Sequence, residues 1–186
     1  MKSRRTVANT ALLAAIWLAS TPASAEITLS QLVTELSSKS RTSDIEVHND
    51  GPDRAFVVVE PSEVIEPGTP SERRISASDP SSAGLLVTPA KLILEPGQRK
   101  RIRVAAIGSS LERERVYRIL VKPVAGEVTS EATGLKLLVG YDVLVMVRPA
   151  TTEIKLQSRR AGQQLTIKNE GNVSVELSAG RSCSVG

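Results

Sequence analysis

Few residues in this sequence could carry out chemistry. His48 is the only histidine and Cys183 the only cysteine. A zinc site needs three or four His, Cys or carboxylate ligands, and no second histidine or clustered cysteine completes such a set. His48 closes the alternating stretch Asp44–His48 beside the turn Asn49-Asp50-Gly51-Pro52, where a structural role is expected. Glu112 and Glu114 are close enough to suggest paired acid/base carboxylates. They alternate with Arg113 and Arg115, so a solvated or salt-bridged loop is expected instead. No glycine-rich phosphate loop is present. Asn172-Val173-Ser174 fits a glycosylation acceptor, a short pattern that chance often produces. With no nucleophile–base pair, neither an enzyme nor a cofactor is expected.

The binding chemistry lies in residues 135–149, LKLLVGYDVLVMVRP. Leu135, Leu137 and Val139 alternate, so one face of an extended strand could fill a row of pockets. At about 3.3 Å per residue, a strand from Leu135 to Val147 would reach roughly 40 Å, longer than most. Pro149 cannot donate to a ladder and ends the pairing. Such a strand aggregates unless covered. Burying the three alternating side chains would contribute roughly 5–9 kcal/mol before ordering costs. The residues alone leave two readings, an ordinary core strand and a strand lent to another protein. Tyr141–Val147 fits the chain's own core better.

The elements that must position this strand begin after an export signal. Lys2, Arg4 and Arg5 precede the apolar run Ala11–Ala19, and Ala23-Ser24-Ala25 forms a cleavage site. The run is shorter than the ~20 residues that span a bilayer. Residues 1–25 are therefore expected to be a signal peptide cleaved after Ala25, without membrane insertion. The chain carries +4 overall, and removing those three basic residues leaves +1. Phe56, Tyr117 and Tyr141 are then the only aromatics, too few to stack nucleic-acid bases, and no nucleic-acid partner is expected. One cysteine allows no internal disulfide; Cys183 points to an intermolecular bridge, a free thiol or a partner outside this sequence.

Short Val/Ile/Leu/Thr segments between Gly, Pro, Asn and Asp turns predict an all-β sandwich. About seven strands are expected before Pro149. Ile27–Leu36 reads as one strand, and Ala55–Val59 as a strand buried on both faces. The ten residues from Pro61 read as a loop, Arg73–Ile75 as a short edge strand, and Asp79–Gly84 as another loop. Pro89 breaks Leu85–Leu94, and Glu95-Pro96-Gly97-Gln98 reads as a type II turn. Ile102 and Val104 then alternate with Arg101 and Arg103, and Val116–Val124 is the next strand. Beyond Pro149, strands are expected at Glu153–Leu156, Gln164–Lys168 and Val173–Leu177. These are too few to bury a core of their own. The expected organisation is an immunoglobulin-like sandwich at 26–148 followed by an incomplete second immunoglobulin-like domain at 149–186.

In order, the signal peptide, IEVHND, LLVTPAKLILEPGQRKRIRV, ERERVYRILVKP and the apolar strand ending in RPA resemble the periplasmic pilus-assembly chaperones of the chaperone–usher pathway, over residues 42–170. That resemblance implies two immunoglobulin-like domains, a periplasmic location, and pilus or fimbrial subunits and an outer-membrane usher as partners. It also implies donor-strand complementation, with Leu135, Leu137 and Val139 as the lent face. Glu114 and Arg148 match an interdomain salt bridge whose third partner would lie in the missing part of the second domain. The cations that anchor the subunit's terminal carboxylate in the family fall at Val33 and Leu144 here. Lys39, Arg41 and Lys136 are the substitutes the sequence offers, and the chain looks like a divergent branch. A fibre subunit or adhesion module of immunoglobulin-like fold is the alternative, with Ile27–Leu36 as its exchangeable extension.

Overall fold

A computed structural model describes residues 27–108, 111–124 and 138–181. In chain order the elements are β1 (Ile27–Leu29), β2 (Val33–Leu36), β3 (Thr42–Asn49), β4 (Ala55–Ile65) and β5 (Arg73–Ser76). One helical turn, α1 (Pro80–Ala83), is followed by β6 (Leu85–Thr88), β7 (Lys91–Leu94), β8 (Arg99–Ala106), β9 (Arg115–Val124) and β10 (Tyr141–Val147). A hairpin of β11 (Leu156–Ala161) and β12 (Gln164–Asn169) comes last. One sheet has the order β1-β3-β8-β6; the other has β2-β10-β9-β4-β5, with β7 also paired to β4. This is the expected all-β, immunoglobulin-like sandwich.

Strand alternation builds the core. Ile45 and Val47 of β3 meet Ile102 and Val104 of β8 from one side, and all four are buried. Val57 and Val59 of β4, Tyr117, Ile119 and Val121 of β9, and Val143 and Val145 of β10 close it from the other. The intervening Arg101 and Arg103 face water, with Arg103 forked onto Asp44 at 2.8 and 2.9 Å. That guanidinium, hydrogen-bonded to the carboxylate, holds Asp44 below its ordinary value.

Several segments depart from the sequence expectation for local reasons. Ile27–Leu36 is two strands rather than one: β1 pairs with β3 and β2 with β10, so the chain crosses between sheets near Gln31. Its side-chain amide bonds Thr34 Oγ1 and Ser43 Oγ at 3.0 Å and pins the crossing. Ala55–Val59 is not buried on both faces, because Phe56 is exposed and the strand simply alternates. The strand also runs through Pro61 instead of ending in a loop. Glu63 there makes a paired ionic contact with Arg115 at 2.7 and 2.6 Å. Asp79–Gly84 contains α1, capped by the Asp79 carboxylate accepting from Ser81 N–H. Among the described residues, ten strands rather than about seven precede Pro149, mainly because of these splits. Gly97 has φ 72° and Gln98 N–H donates to Glu95 O at 2.9 Å, as a type II turn requires.

Tyr117, fully buried, donates its hydroxyl to Ala83 O at 2.7 Å. Burial pushes the phenol up to about 12. Its folded-state value lies above the unfolded one, so the stability it contributes is complete below pH ~10 and is lost as pH rises toward ~12. Stability of the wild type should therefore fall more steeply over that window than stability of Tyr117→Phe. The phenylalanine variant starts about 1 kcal/mol lower for want of the hydrogen bond. Urea midpoints measured across the window check this; parallel pH slopes would refute it.

After Pro149 the chain repeats a piece of its own beginning. β1 pairs with β3 from Ile27↔Asn49, and β11 pairs with β12 from Leu156↔Asn169. Asn49-Asp50-Gly51 and Asn169-Glu170-Gly171 then make the same turn. In each, the Asn side chain accepts from the Gly N–H, at 3.0 and 2.9 Å, and donates four residues on, to Asp53 O at 2.7 Å and Val173 O at 2.8 Å. Ile27, Ile45 and Val47 are core residues of the first unit, yet their counterparts Leu156, Leu165 and Ile167 are 40%, 60% and 44% exposed. Two expected strands differ. β11 starts at Leu156 instead of ending there, and Val173–Leu177 forms no strand. The first difference follows from register, since pairing with β12 begins at Asn169. In the second, Val173 and Ser174 bond to the turn and to Arg148 instead.

Candidate functional site

The described part of the long apolar segment is β10, a central strand on one side only. It pairs with β9 along Tyr141–Val147, but with β2 only from Leu144 to Val147. Leu144 N–H donates to Leu32 O at 2.9 Å, and Arg148 N–H to Leu36 O at 2.8 Å. By alternation the backbone groups of Asp142 face the same side, where no strand is present among the described residues. Among the described residues, the edge of β10 is therefore closed by β2 from Leu144 onward and open before it. Val139 stands at the head of this open edge, 52% exposed. Leu135, Leu137 and Lys136 lie outside the described residues. The strand assignment stops at Tyr141, so the expected continuous strand from Leu135 is described over Tyr141–Val147 alone.

At the other end of β10 a charged node has formed. Arg148 Nη1 bonds Glu114 Oε2 at 2.5 Å and Ser174 O at 3.1 Å, while Nη2 reaches Glu35 Oε1 at 3.0 Å. Glu114 is nearly buried, with its side chain 5% exposed against 20% for Arg148. Burial by itself would lower the Arg148 guanidinium, but Glu35 and Glu114 outweigh it and hold it above the usual arginine value. Glu114 and Arg148 are thus paired, and Glu35 of β2 is a further partner that the sequence reading did not name. This carboxylate comes from β2, because the parallel register sets Glu35 beside Met146 on one face.

Asn172 knits the same junction. Its Nδ2 donates to Glu112 O and Thr151 O, each at 2.9 Å, and its Oδ1 accepts from Glu153 N–H at 2.7 Å. Glu114 N–H donates to Asn172 O at 2.9 Å. With its amide committed in this way, Asn172 is a poor glycosylation acceptor. Gly171 is fitted just as closely, since a Cβ there would run into the Glu153 carbonyl oxygen. Of the solvated or salt-bridged loop expected around Glu112 and Glu114, Glu114 is salt-bridged and Glu112 is exposed, held only through its backbone oxygen. His48 likewise sits structurally, Nδ1 2.6 Å from Asp50 Oδ1.

Of the candidate carboxylate anchors, Lys39 is exposed in the turn between β2 and β3. Arg41 donates from Nη2 to Ala106 O at 2.8 Å and Gly108 O at 3.0 Å, and lines a pocket with Arg115, Tyr117 and Arg148. Neither is beside the open edge of β10. At the positions where the resemblance expects cations, Val33 and Leu144 are cross-strand neighbours. Sequence reasoning missed Glu35 and Asn172, whose roles depend on contacts 113 and 60 residues away. Elsewhere on the same sheet, Ile93, Phe56 and Val124 form an exposed apolar row across β7, β4 and β9. Among the described residues no three His, Cys, Asp or Glu converge as metal ligands, and no helix is long and apolar enough to cross a membrane.

Comparison with known proteins fits this geometry. A CFA/I fimbrial subunit of Escherichia coli is 30% identical over 137 residues, covering 69% of this chain and 57% of its own length. A CS1 fimbrial subunit of the same species is 28% identical over 141 residues, covering 72% and 58%. The chain therefore spans less than two thirds of the length of these relatives. Among solved structures, the class 5 fimbriae chaperone CfaA matches with a TM-score of 0.67 at 25% identity, over 79% of this chain and 68% of that one. A chain from the chaperone–tip adhesin complex of CFA/I fimbriae biogenesis matches at 0.66 and 25%, over 80% and 68%. Residues 26–153 match the model of pili and flagellar-assembly chaperones, PapD N-terminal domain. The chain belongs to that chaperone family.

Proposed function

We propose that this protein is a periplasmic chaperone that holds pilus or fimbrial subunits by donor-strand complementation and delivers them to an outer-membrane usher. The half-open edge of β10 carries the proposal. Among the described residues it leaves the backbone of Asp142 without a strand partner, next to a segment whose Leu135, Leu137 and Val139 alternate, the two requirements for adding a strand to a partner. Family membership and the likeness to fimbrial chaperones support this reading. The alternative, a fibre subunit that exchanges its own N-terminal strand, is less well supported, because Ile27–Leu36 is built into both sheets. Usher delivery needs a second surface that stays accessible while β10 is occupied, and the Ile93–Phe56–Val124 row meets that need. The signal-peptide pattern of residues 1–25, a basic start, an apolar run and Ala23-Ser24-Ala25, supports the periplasmic location. The repeated Asn-acid-Gly turn supports residues 149–186 as the start of a second sandwich, with Glu114–Arg148 fixing the junction.

Co-expression with a fibre subunit and affinity purification tests the proposal. Leu137→Asp should lower subunit recovery by at least ten-fold, since a carboxylate cannot enter an apolar pocket without a partner. Arg73→Asp, exposed on the edge strand β5, should leave recovery within about two-fold. Undiminished recovery with Leu137→Asp would remove the donor-strand assignment.

A further inference from the structure

We propose that the cavity at the Arg148 end of the sandwich binds one small, free tetrahedral oxyanion of the phosphate and sulfate class. The inference goes beyond the strand-addition reading and does not depend on it. The cavity holds about 100 Å³, the space of roughly three waters at ~30 Å³ each, enough for a four-oxygen anion but not for a nucleotide. Its polar wall is cationic. Arg41, Arg115 and Arg148 line it together with Ser37 and Ser38, and no Asp or Glu among the described residues does. Leu111 and Val147 supply apolar wall, and a low local dielectric strengthens any charge-assisted contact made there. The cavity lies at the end of β10 that β2 has closed, between Arg148 and the turn before β3. Its occupant is therefore separate from a segment added at the open edge.

Each guanidinium group is held in place and has donors left over. Arg115 is half-buried, gives Nε and Nη2 to Glu63 at 2.7 and 2.6 Å, and sits 5.4 Å from the centre of the Tyr117 ring. A Cβ on Gly84 would come within 2.8 Å of its Nη1, so glycine lets that nitrogen lie against the chain. Nη1 has no acceptor among the described residues. Arg148, also half-buried, commits Nη1 and Nη2 to Glu114, Ser174 and Glu35, which leaves Nε. Arg41 commits only Nη2, to the carbonyls of Ala106 and Gly108, and has no carboxylate partner among the described residues. The three groups reach the cavity from three separate parts of the chain. A planar carboxylate presents two oxygens in one plane, whereas a tetrahedral anion presents four in different directions and can accept from all three groups at once.

Titration calorimetry of the full chain with sodium phosphate, sodium sulfate and sodium acetate, in about 150 mM sodium chloride to screen surface charges, tests this. Phosphate and sulfate should each show saturable binding to one site, and acetate should bind at least about ten-fold more weakly. Arg41→Gln should weaken phosphate binding by about ten-fold, the usual scale of one charge-assisted contact, and Arg41→Lys should recover part of the loss. Phosphate should also raise the thermal midpoint of the wild type further than sodium chloride of equal ionic strength does, a reading that stands even if a variant folds poorly. No saturable binding of phosphate or sulfate to the wild type would overturn the inference. Acetate binding as tightly as phosphate would overturn the tetrahedral assignment, and undiminished phosphate binding by Arg41→Gln would overturn the location. Binding seen at about 20 mM sodium chloride but lost at about 150 mM would mean general surface attraction, and would overturn the site as well.

Discussion

Arg148→Met is expected to lower the unfolding free energy of the sandwich by about 3 kcal/mol, the scale found when one partner of a buried ion pair is removed. Glu114 is the reason. Its side chain is 5% exposed, and without Arg148 the carboxylate keeps only the Ser174 N–H, at 3.3 Å. Methionine preserves most of the packed volume, so the loss reports charge rather than a cavity. Adding Glu114→Gln to the methionine variant should recover more than half of it, because the buried group is then neutral. Glu35→Gln alone should cost less than about 1 kcal/mol, since that carboxylate is 56% exposed. Denaturant titration of the three variants decides the matter. A methionine variant within about 0.5 kcal/mol of wild type would show that water replaces the cation. The same substitution removes the donor to Ser174 O, so cleavage after residue 170 by a probe protease should become faster.

Asn49→Ala should cost a further class of energy, about 3 kcal/mol, through backbone groups left without partners. Asn49 is fully buried. Its Nδ2 satisfies Asp53 O at 2.7 Å and Leu94 O at 3.1 Å, and its Oδ1 satisfies Gly51 N–H at 3.0 Å. Leu94 is itself inaccessible to water, so its carbonyl has no substitute partner. Asn49→Asp should be worse than alanine, because a carboxylate would then face two carbonyl oxygens in place of an amide N–H. The equivalent Asn169→Ala should cost less, because Asn169 is itself exposed and water can reach its side of the bonds to Gly171 and Val173, although those two residues are buried. Comparing thermal midpoints of the three variants checks the order; an Asn169 effect equal to that of Asn49 would mean that the second turn is as deeply covered as the first.

The contrast between these two asparagines shows how much was legible in advance. The sequence Asn-acid-Gly marks both turns, and alternation marks the strands entering them. Burial of Ile45 and Val47 could be read from the pattern Asp44–His48, and the type II turn from Pro96-Gly97. Alternation reports a face, however, not what covers it. Leu165 and Ile167 alternate just as Ile45 and Val47 do, but only the first pair of positions has a second sheet over it. Pro61 was misleading for a related reason. A proline lacks a ladder donor, yet it is tolerated in β4 where the next residues are held by Arg115 and by pairing with β5 and β9.

Residues 135–149 and their flanks show the same division. Composition and alternation alone determined that the chain is all-β, that Tyr141–Val147 is a strand, and that the strand ends before Pro149. Those properties follow from side-chain type and spacing, which are local. Only the tertiary structure decided that β2 pairs with β10 from Leu144 onward and not before it among the described residues, and that Glu35 joins the Arg148 node. Each of these is set by register between strands far apart in sequence, and a one-residue slip would turn the side chains to the other face.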